Sequence, residues 1–246
     1  MKSGYKNLSK DEIYLISRAE FEKQKLITTQ FAQKLFPDKN KASRVLVFLK
    51  KKGRLTRIEK GKYILVPIKA PNQQWMSNEF VVADLWMGNT PYYIGYFTMY
   101  NYWGFTEQIP RTIFVLNTVK SCKKEISGIR YEAVKIDPKK YYGIEKIKVE
   151  DQEVCVSDKE RTLVDFAYNP LGSIRNFDMA LQDNLNGIDI EKFIRYLMKF
   201  PVISVRKRAG FLLEKLGCRN KALEPLRKSI GEKRALVLLD PYGRSR

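Results

Sequence analysis

Residues 26–66 read LITTQFAQKLFPDKNKASRVLVFLKKKGRLTRIEKGKYILV, and this stretch decides the architecture of the amino-terminal part of the chain. Thr28 or Thr29 is placed to cap a short helix whose Phe31, Ala32, Leu35 and Phe36 share one face, and Pro37 ends it. Asp38 can cap the next helix. There Ala42, Val45, Leu46 and Leu49 recur at three- and four-residue spacing, so they turn inward and leave Asn40, Ser43, Arg44 and Val47 on the opposite face. Lys50, Lys51 and Lys52 set cations against the carboxyl-end dipole, and Gly53 can take positive φ, so the triple lysine reads as a helix terminus. Arg54 to Val66 then reads as strand, Gly61 turn and strand, with a cationic tip at Arg57, Lys60 and Lys62.

Upstream, Ser9 can cap a further helix in which Ile13, Leu15, Ile16 and Ala19 cluster at helical spacing. Three short helices and a basic hairpin make a winged helix-turn-helix, in which the third helix enters the major groove and the hairpin follows the adjacent backbone. The exposed face of that helix carries suitable chemistry. Asn and Arg make paired contacts to adenine and guanine edges, Ser serves either, and Val47 can meet a thymine methyl. Lys39 and Lys41 flank the face for phosphate. The candidate DNA-binding set is therefore Thr28, Thr29, Lys39, Asn40, Lys41, Ser43, Arg44, Arg57, Lys60 and Lys62.

Charge supports that reading. The chain has 246 residues and a formal net charge of +19. Residues 1–70 hold 18 basic and 6 acidic side chains, residues 71–200 hold 16 and 17, and residues 201–246 hold 12 and 4. Two basic ends around a near-neutral middle point to two polyanion-facing surfaces. With 44% hydrophobic residues the chain can bury a sizeable core.

Residues 71–78 are polar and proline-bearing, and they read as a linker, with a second domain from Glu79. Thr90 and Pro91 are expected to open a helix in which Tyr92, Tyr93, Tyr96, Phe97, Tyr100 and Trp103 recur, packed against a sheet. Strands are expected at 112–117, 131–136, 144–149 and 153–156. Ser157 and Glu160 have the spacing of a capping box, followed by inward Leu163, Val164, Phe166 and Ala167 and an Arg161–Asp165 pair. Helical patterns continue at 177–185 and 190–200, and Ser204 is expected to cap another. In that last helix Arg206, Lys207 and Arg208 fill the first turns without an acidic residue three or four places away, so they are expected to meet either an anion, such as phosphate or an acidic partner, or tertiary salt bridges to the acidic residues of the middle domain. Arg219, Lys221, Arg227 and Lys228 extend this basic area, and residues 235–239 read as a closing strand. The whole is an α+β chain: a winged helix over 1–70, then a larger mixed domain over 79–246 with a central sheet and basic carboxyl-terminal helices.

The chain lacks what most enzymes need. It has no histidine, which removes imidazole bases and His-held metals. Cys122, Cys155 and Cys218 form no C-x-x-C pair, and there is no phosphate loop, no Ser or Cys elbow and no Glu-x-Lys nuclease signature. Neither metal nor cofactor is expected, and catalysis is not expected. The start lacks a signal-peptide core, and the uncharged stretch 85–106 is broken by Gly88, Asn89, Pro91, Gly95, Asn101 and Gly104, so no membrane span and a cytoplasmic location are expected.

The order of ITTQFAQKLF, GRLTRIEKGKYIL, YYIGYFTMYNYWGF, SDKERTLVDFAY, RKRAGFLLEKLG and LLDP resembles the AbiEi antitoxins of type IV toxin-antitoxin, or abortive-infection, systems, over nearly the whole chain. The resemblance implies a regulator whose winged helix binds promoter DNA and represses its own operon. It also implies that the larger domain counteracts a co-encoded nucleotidyltransferase toxin, without direct contact being required. In that family the aromatic segment often carries histidine, which this chain lacks, so no role resting on one is expected. The rival readings are a nucleic-acid enzyme, such as a nuclease or modification subunit with a winged-helix clamp, and a ligand-responsive transcription factor.

Overall fold

A computed structural model describes residues 7–68, 70, 77–218, 221, 223–231, 237 and 239–241. Most of the expected linker at 71–78, most of the expected closing strand at 235–239, and Arg219 lie outside these residues. The chain divides into two compact units, one running to Gly88 and including Glu125–Ile129, the other comprising Asn89–Lys124 and everything from Arg130 onward.

The first unit is a winged helix-turn-helix. Its order is α1 (Lys10–Phe21), β1 (Leu26–Thr28), α2 (Thr29–Leu35), α3 (Lys39–Lys51), β2 (Leu55–Glu59) and β3 (Lys62–Leu65). Ser9 and Glu12 form a capping box at the start of α1, Thr28 caps α2 and Asp38 caps α3. One apolar cluster unites them: Leu15, Ile16 and Ala19 of α1, Ala32 and Phe36, then Ala42, Val45, Leu46 and Leu49 of α3, with Leu55 and Leu65 of the hairpin. Ile13, expected with the inward set, is 44% exposed, and Glu12 takes a buried place instead. Lys52 explains how a carboxylate is held there, since its Nζ lies 2.6 Å from Glu12 Oε2. Burial works against the Glu12 charge, but the Lys52 ammonium and the Ser9 amide outweigh it and keep the carboxyl below its ordinary value.

Three residues before α2 pair with the hairpin, so the wing is a three-stranded sheet in the order β1-β3-β2. A helix that the sequence pattern does not announce, α4 (Glu79–Met87), follows in the same unit and is buried almost all round. Its Trp86 Nε1 donates to Glu59 Oε1 of the wing at 3.1 Å.

The second unit holds, apart from the Glu125–Ile126 end of β6 and Ile129 of β7, a mixed six-stranded sheet, β6-β7-β5-β4-β9-β8. The strands are β4 (Tyr92–Ile94), β5 (Thr112–Asn117), β6 (Cys122–Ile126), β7 (Ile129–Lys135), β8 (Ile144–Val149) and β9 (Gln152–Ser157). The outermost strands carry Lys123, Lys124, Lys146 and Lys148, charges that discourage edge-to-edge pairing. The helix expected from Tyr92 to Trp103 is corrected here: Tyr92–Ile94 is a central strand, antiparallel to β5 and parallel to β9, and only α5 (Tyr96–Tyr102) is helical. All three strand residues are buried, so the run lacks the alternation that marks a half-exposed strand. Tyr100 stacks on Phe166 at 4.2 Å between ring centroids and donates to the Asn169 carbonyl, while Trp103 Nε1 donates to the Ser157 carbonyl. The remaining helices are α6 (Lys159–Tyr168), α7 (Ile174–Asn184), α8 (Ile190–Lys199), α9 (Ile203–Lys215) and α10 (Leu223–Ile230).

The start of α6 is a second correction. Asp158, not Ser157, caps the helix, its Oδ1 accepting from the Arg161 amide at 2.7 Å. Ser157 remains in β9, opposite Ile144, and its buried hydroxyl pairs with that of Thr162 at 2.7 Å. Glu160 accordingly turns away from the expected box and accepts from the Asp189 amide and Lys192 Nζ.

Candidate nucleic-acid interface

Helix α3 presents the surface that its spacing implies. Lys39, Asn40, Ser43, Arg44 and Val47 are exposed, and the helix has no acidic residue along its length. Asp38 sits just before it, and its Oδ2 lies 3.8 Å from Arg44 Nη2, a loose surface contact with little hold on the guanidinium. Lys41 is more occupied: its Nζ is 2.9 Å from Asp11 Oδ1 and lies over the Phe36 ring. Lys39 is therefore the more exposed cation on this flank.

Thr28 and Thr29 have internal work. Thr28 Oγ1 accepts from the Phe31 amide at 3.0 Å, and the Thr29 amide donates to the Gly61 carbonyl at 2.9 Å. Gly61 has φ of 76°, and a Cβ there would stand 2.8 Å from Thr29 Oγ1, so the wing turn is seated directly on the start of α2. At the tip, Lys62 Nζ lies 3.4 Å from Glu59 Oε2 and Arg57 Nε donates to the Glu59 carbonyl. Lys60, at the turn itself, is exposed. The sequence signal for this arrangement was the glycine; the Glu59 anchor had none, because an acid in a basic hairpin reads as ordinary surface.

At the second expected anion surface Arg206 is engaged within the fold. Helix α9 starts at Ile203 after Val202, with no side-chain cap, so Ser204 lies inside it: the chain re-enters helix directly after Pro201. Arg206 is not awaiting an anion. Its guanidinium donates to the carbonyls of Leu197, Phe200 and Ser229, at 3.1, 2.8 and 3.2 Å for the shortest bond to each. These carbonyls belong to the ends of α8 and α10, so the cation meets two negative helix termini that no local spacing reveals. Arg208 is buried, and Lys207 lines a groove of about 300 Å³ between α9 and α10 with Phe211, Leu223, Leu226 and Ile230. Lys221 is exposed. Replacing Arg206 with Ala is expected to cost about 1–3 kcal/mol by stranding those carbonyls, measured as a lower denaturation midpoint. An unchanged midpoint would return Arg206 to the role of a surface cation.

At the centre of the second unit Arg161 and Asp165 form a buried pair, Nη1 to Oδ1 at 2.8 Å, each 1% exposed by side chain. Arg161 also donates to the carbonyls of Tyr142 and Lys140 and to the Tyr93 hydroxyl. Burial opposes its charge, yet Asp165 with Tyr93 and Tyr142 leaves the guanidinium pKa raised. Burial pushes the Asp165 carboxyl up to about 6 against the pull of Arg161, and its Oδ2 has no hydrogen-bond donor. Gly143 permits the packing: its φ is 67°, and a Cβ would stand 2.6 Å from that of Arg161. Among the described residues no group of three or more His, Cys, Asp or Glu could hold a metal ion, and no helix is long and apolar enough to cross a membrane. The three cysteines are free.

No family model matches the chain, and no curated protein matches it. Among solved structures it is similar to the crystal structure of the RV2827C protein from Mycobacterium tuberculosis, with a TM-score of 0.63 and 16% identity, over 93% of this chain and 84% of that one. At that identity the likeness is one of fold, and the fold is a winged helix-turn-helix followed by a mixed α/β domain.

Proposed function

We propose that this protein is an autorepressor and antitoxin: its winged helix binds promoter DNA of its own operon, and its larger domain counteracts a nucleotidyltransferase toxin encoded alongside. The observation that carries the DNA half is the exposed Asn40, Ser43, Arg44 face on a helix without acidic residues. Lys39 and Lys60 supply phosphate contacts beside it, and Thr28 and Thr29 act by holding the reading helices and the wing in register. The antitoxin half rests on the AbiEi-like order of segments along the chain, supported by the way those segments are used here. SDKERTLVDFAY builds the buried Arg161 centre, YYIGYFTMYNYWGF the central strand and α5, and RKRAGFLLEKLG the helix α9.

The test uses the full chain. It is expected to bind duplex DNA from upstream of its own gene more tightly than unrelated duplex of equal length. Its expression is expected to restore growth to cells producing the neighbouring nucleotidyltransferase. Equal binding to both duplexes would remove the repressor role, and growth arrest despite folded protein would remove the antitoxin role.

A further inference from the structure

Helix α3 carries two large apolar side chains that folding does not explain. Val47 is 48% exposed and Phe48 is 49% exposed, whereas the inward face is filled by Ala42, Val45, Leu46 and Leu49. A β-branched residue at an exposed helical position lowers helix propensity, and leaving it half in water forgoes burial, so neither local structure nor the core accounts for Val47. At 3.6 residues per turn, Asn40, Arg44, Val47 and Lys51 fall within about 60° of one another around the helix, with Ser43 and Phe48 on either flank. The apolar pair therefore continues the polar reading face and is bracketed by cations, with Lys51 Nζ 5.9 Å from the centre of the Phe48 ring.

A partner must match both features: cations at the margin and an apolar strip within. A protein surface offers no particular reason for a helix free of acids. The major groove offers phosphates at its walls and, at its floor, one apolar group, the C5-methyl of thymine. On the basis of the DNA-binding reading above, we infer that Val47 and Phe48 select thymine methyl groups, and hence that the preferred DNA carries thymine beside the base read by Arg44. Three residues separate Arg44 from Val47, about 4.5 Å along the helix, so the thymine lies within about one to three base pairs of that base.

The experiment compares one duplex from upstream of the gene with the same duplex carrying uracil in place of every thymine, which deletes the methyl groups alone. The full chain is expected to bind the uracil duplex about fourfold more weakly for each methyl contacted. A variant carrying Val47→Ala and Phe48→Ala, substitutions that favour the helix, is expected to bind the two duplexes alike. Equal affinity of the wild-type chain for both duplexes would overturn the inference while leaving DNA binding intact, and so would a uracil penalty that survives in the variant. Failure to bind either duplex would instead overturn the DNA-binding reading itself. The wild-type comparison decides the matter even if the variant is unstable.

Discussion

Arg161→Ala is expected to cost about 3–5 kcal/mol, measured by chemical denaturation of the full chain, because it leaves Asp165 as a buried carboxylate without its cation. It also strands the Tyr93 hydroxyl and the Tyr142 and Lys140 carbonyls, all of which accept from the guanidinium. Arg161→Lys should rescue little, since an ammonium cannot serve four acceptors in one plane. Replacing both partners, as Arg161→Met with Asp165→Leu, should recover most of the loss, because no charge is then left buried. A cost below about 1 kcal/mol for Arg161→Ala would mean that water reaches the pair.

The same pair sets a pH dependence. The Asp165 carboxyl, pushed up to about 6 by burial, titrates above the ordinary carboxylate value of about 3.9 expected for the unfolded chain. The folded state thus holds this proton more tightly than the unfolded state. Ionising Asp165 costs stability as pH rises between those values, and the contribution returns as pH falls. The stability of the wild-type chain relative to Asp165→Asn should therefore increase as pH is lowered from about 7 to 4, and a flat difference would remove the assignment.

The second large effect concerns DNA. Arg44→Ala is expected to cost about 1–3 kcal/mol on the preferred duplex and to relax the preference at one base position, because its exposed guanidinium can make paired contacts to a guanine edge. Lys60→Ala on the wing should instead weaken binding to all sequences alike and reduce the slope of log affinity against log salt by about 1. The two variants share no contact, so their signatures separate base reading from phosphate holding. If Arg44→Ala also lost affinity evenly across sequences, α3 would be holding the backbone and the base-reading assignment would fall.

Much of this molecule is local and therefore legible in the chain itself. The caps at Ser9, Thr28 and Asp38, the inward faces of α2 and α3, that of α1 apart from Ile13, and the Gly61 turn follow from side chains acting within one turn of helix or hairpin. The exposed Asn40, Ser43 and Arg44 follow from the same periodicity, since whatever is not needed by the core must face outward. The strands at β5, β8 and β9 were legible for a similar reason, each being bounded by turn signals.

What only the tertiary structure decided are the long-range assignments. Tyr92–Ile94 becomes a strand because β5 and β9 lie on either side of it, which no short apolar run can announce. Ser157 gives up the cap to Asp158 because the sheet claims its backbone and Thr162 its hydroxyl. Arg206 lacked a partner in its own helix, and its partners are carbonyls of α8 and α10, up to 23 residues away along the chain. Arg161 and Asp165 read as a four-residue pair of the surface kind, and only the packing of Tyr93, Tyr142 and Phe200 over the guanidinium makes it a buried charge centre. Hydrogen bonds and charges are satisfied by proximity in space, and spacing along the chain reports that proximity only within a single element; beyond it, the fold chooses the partner.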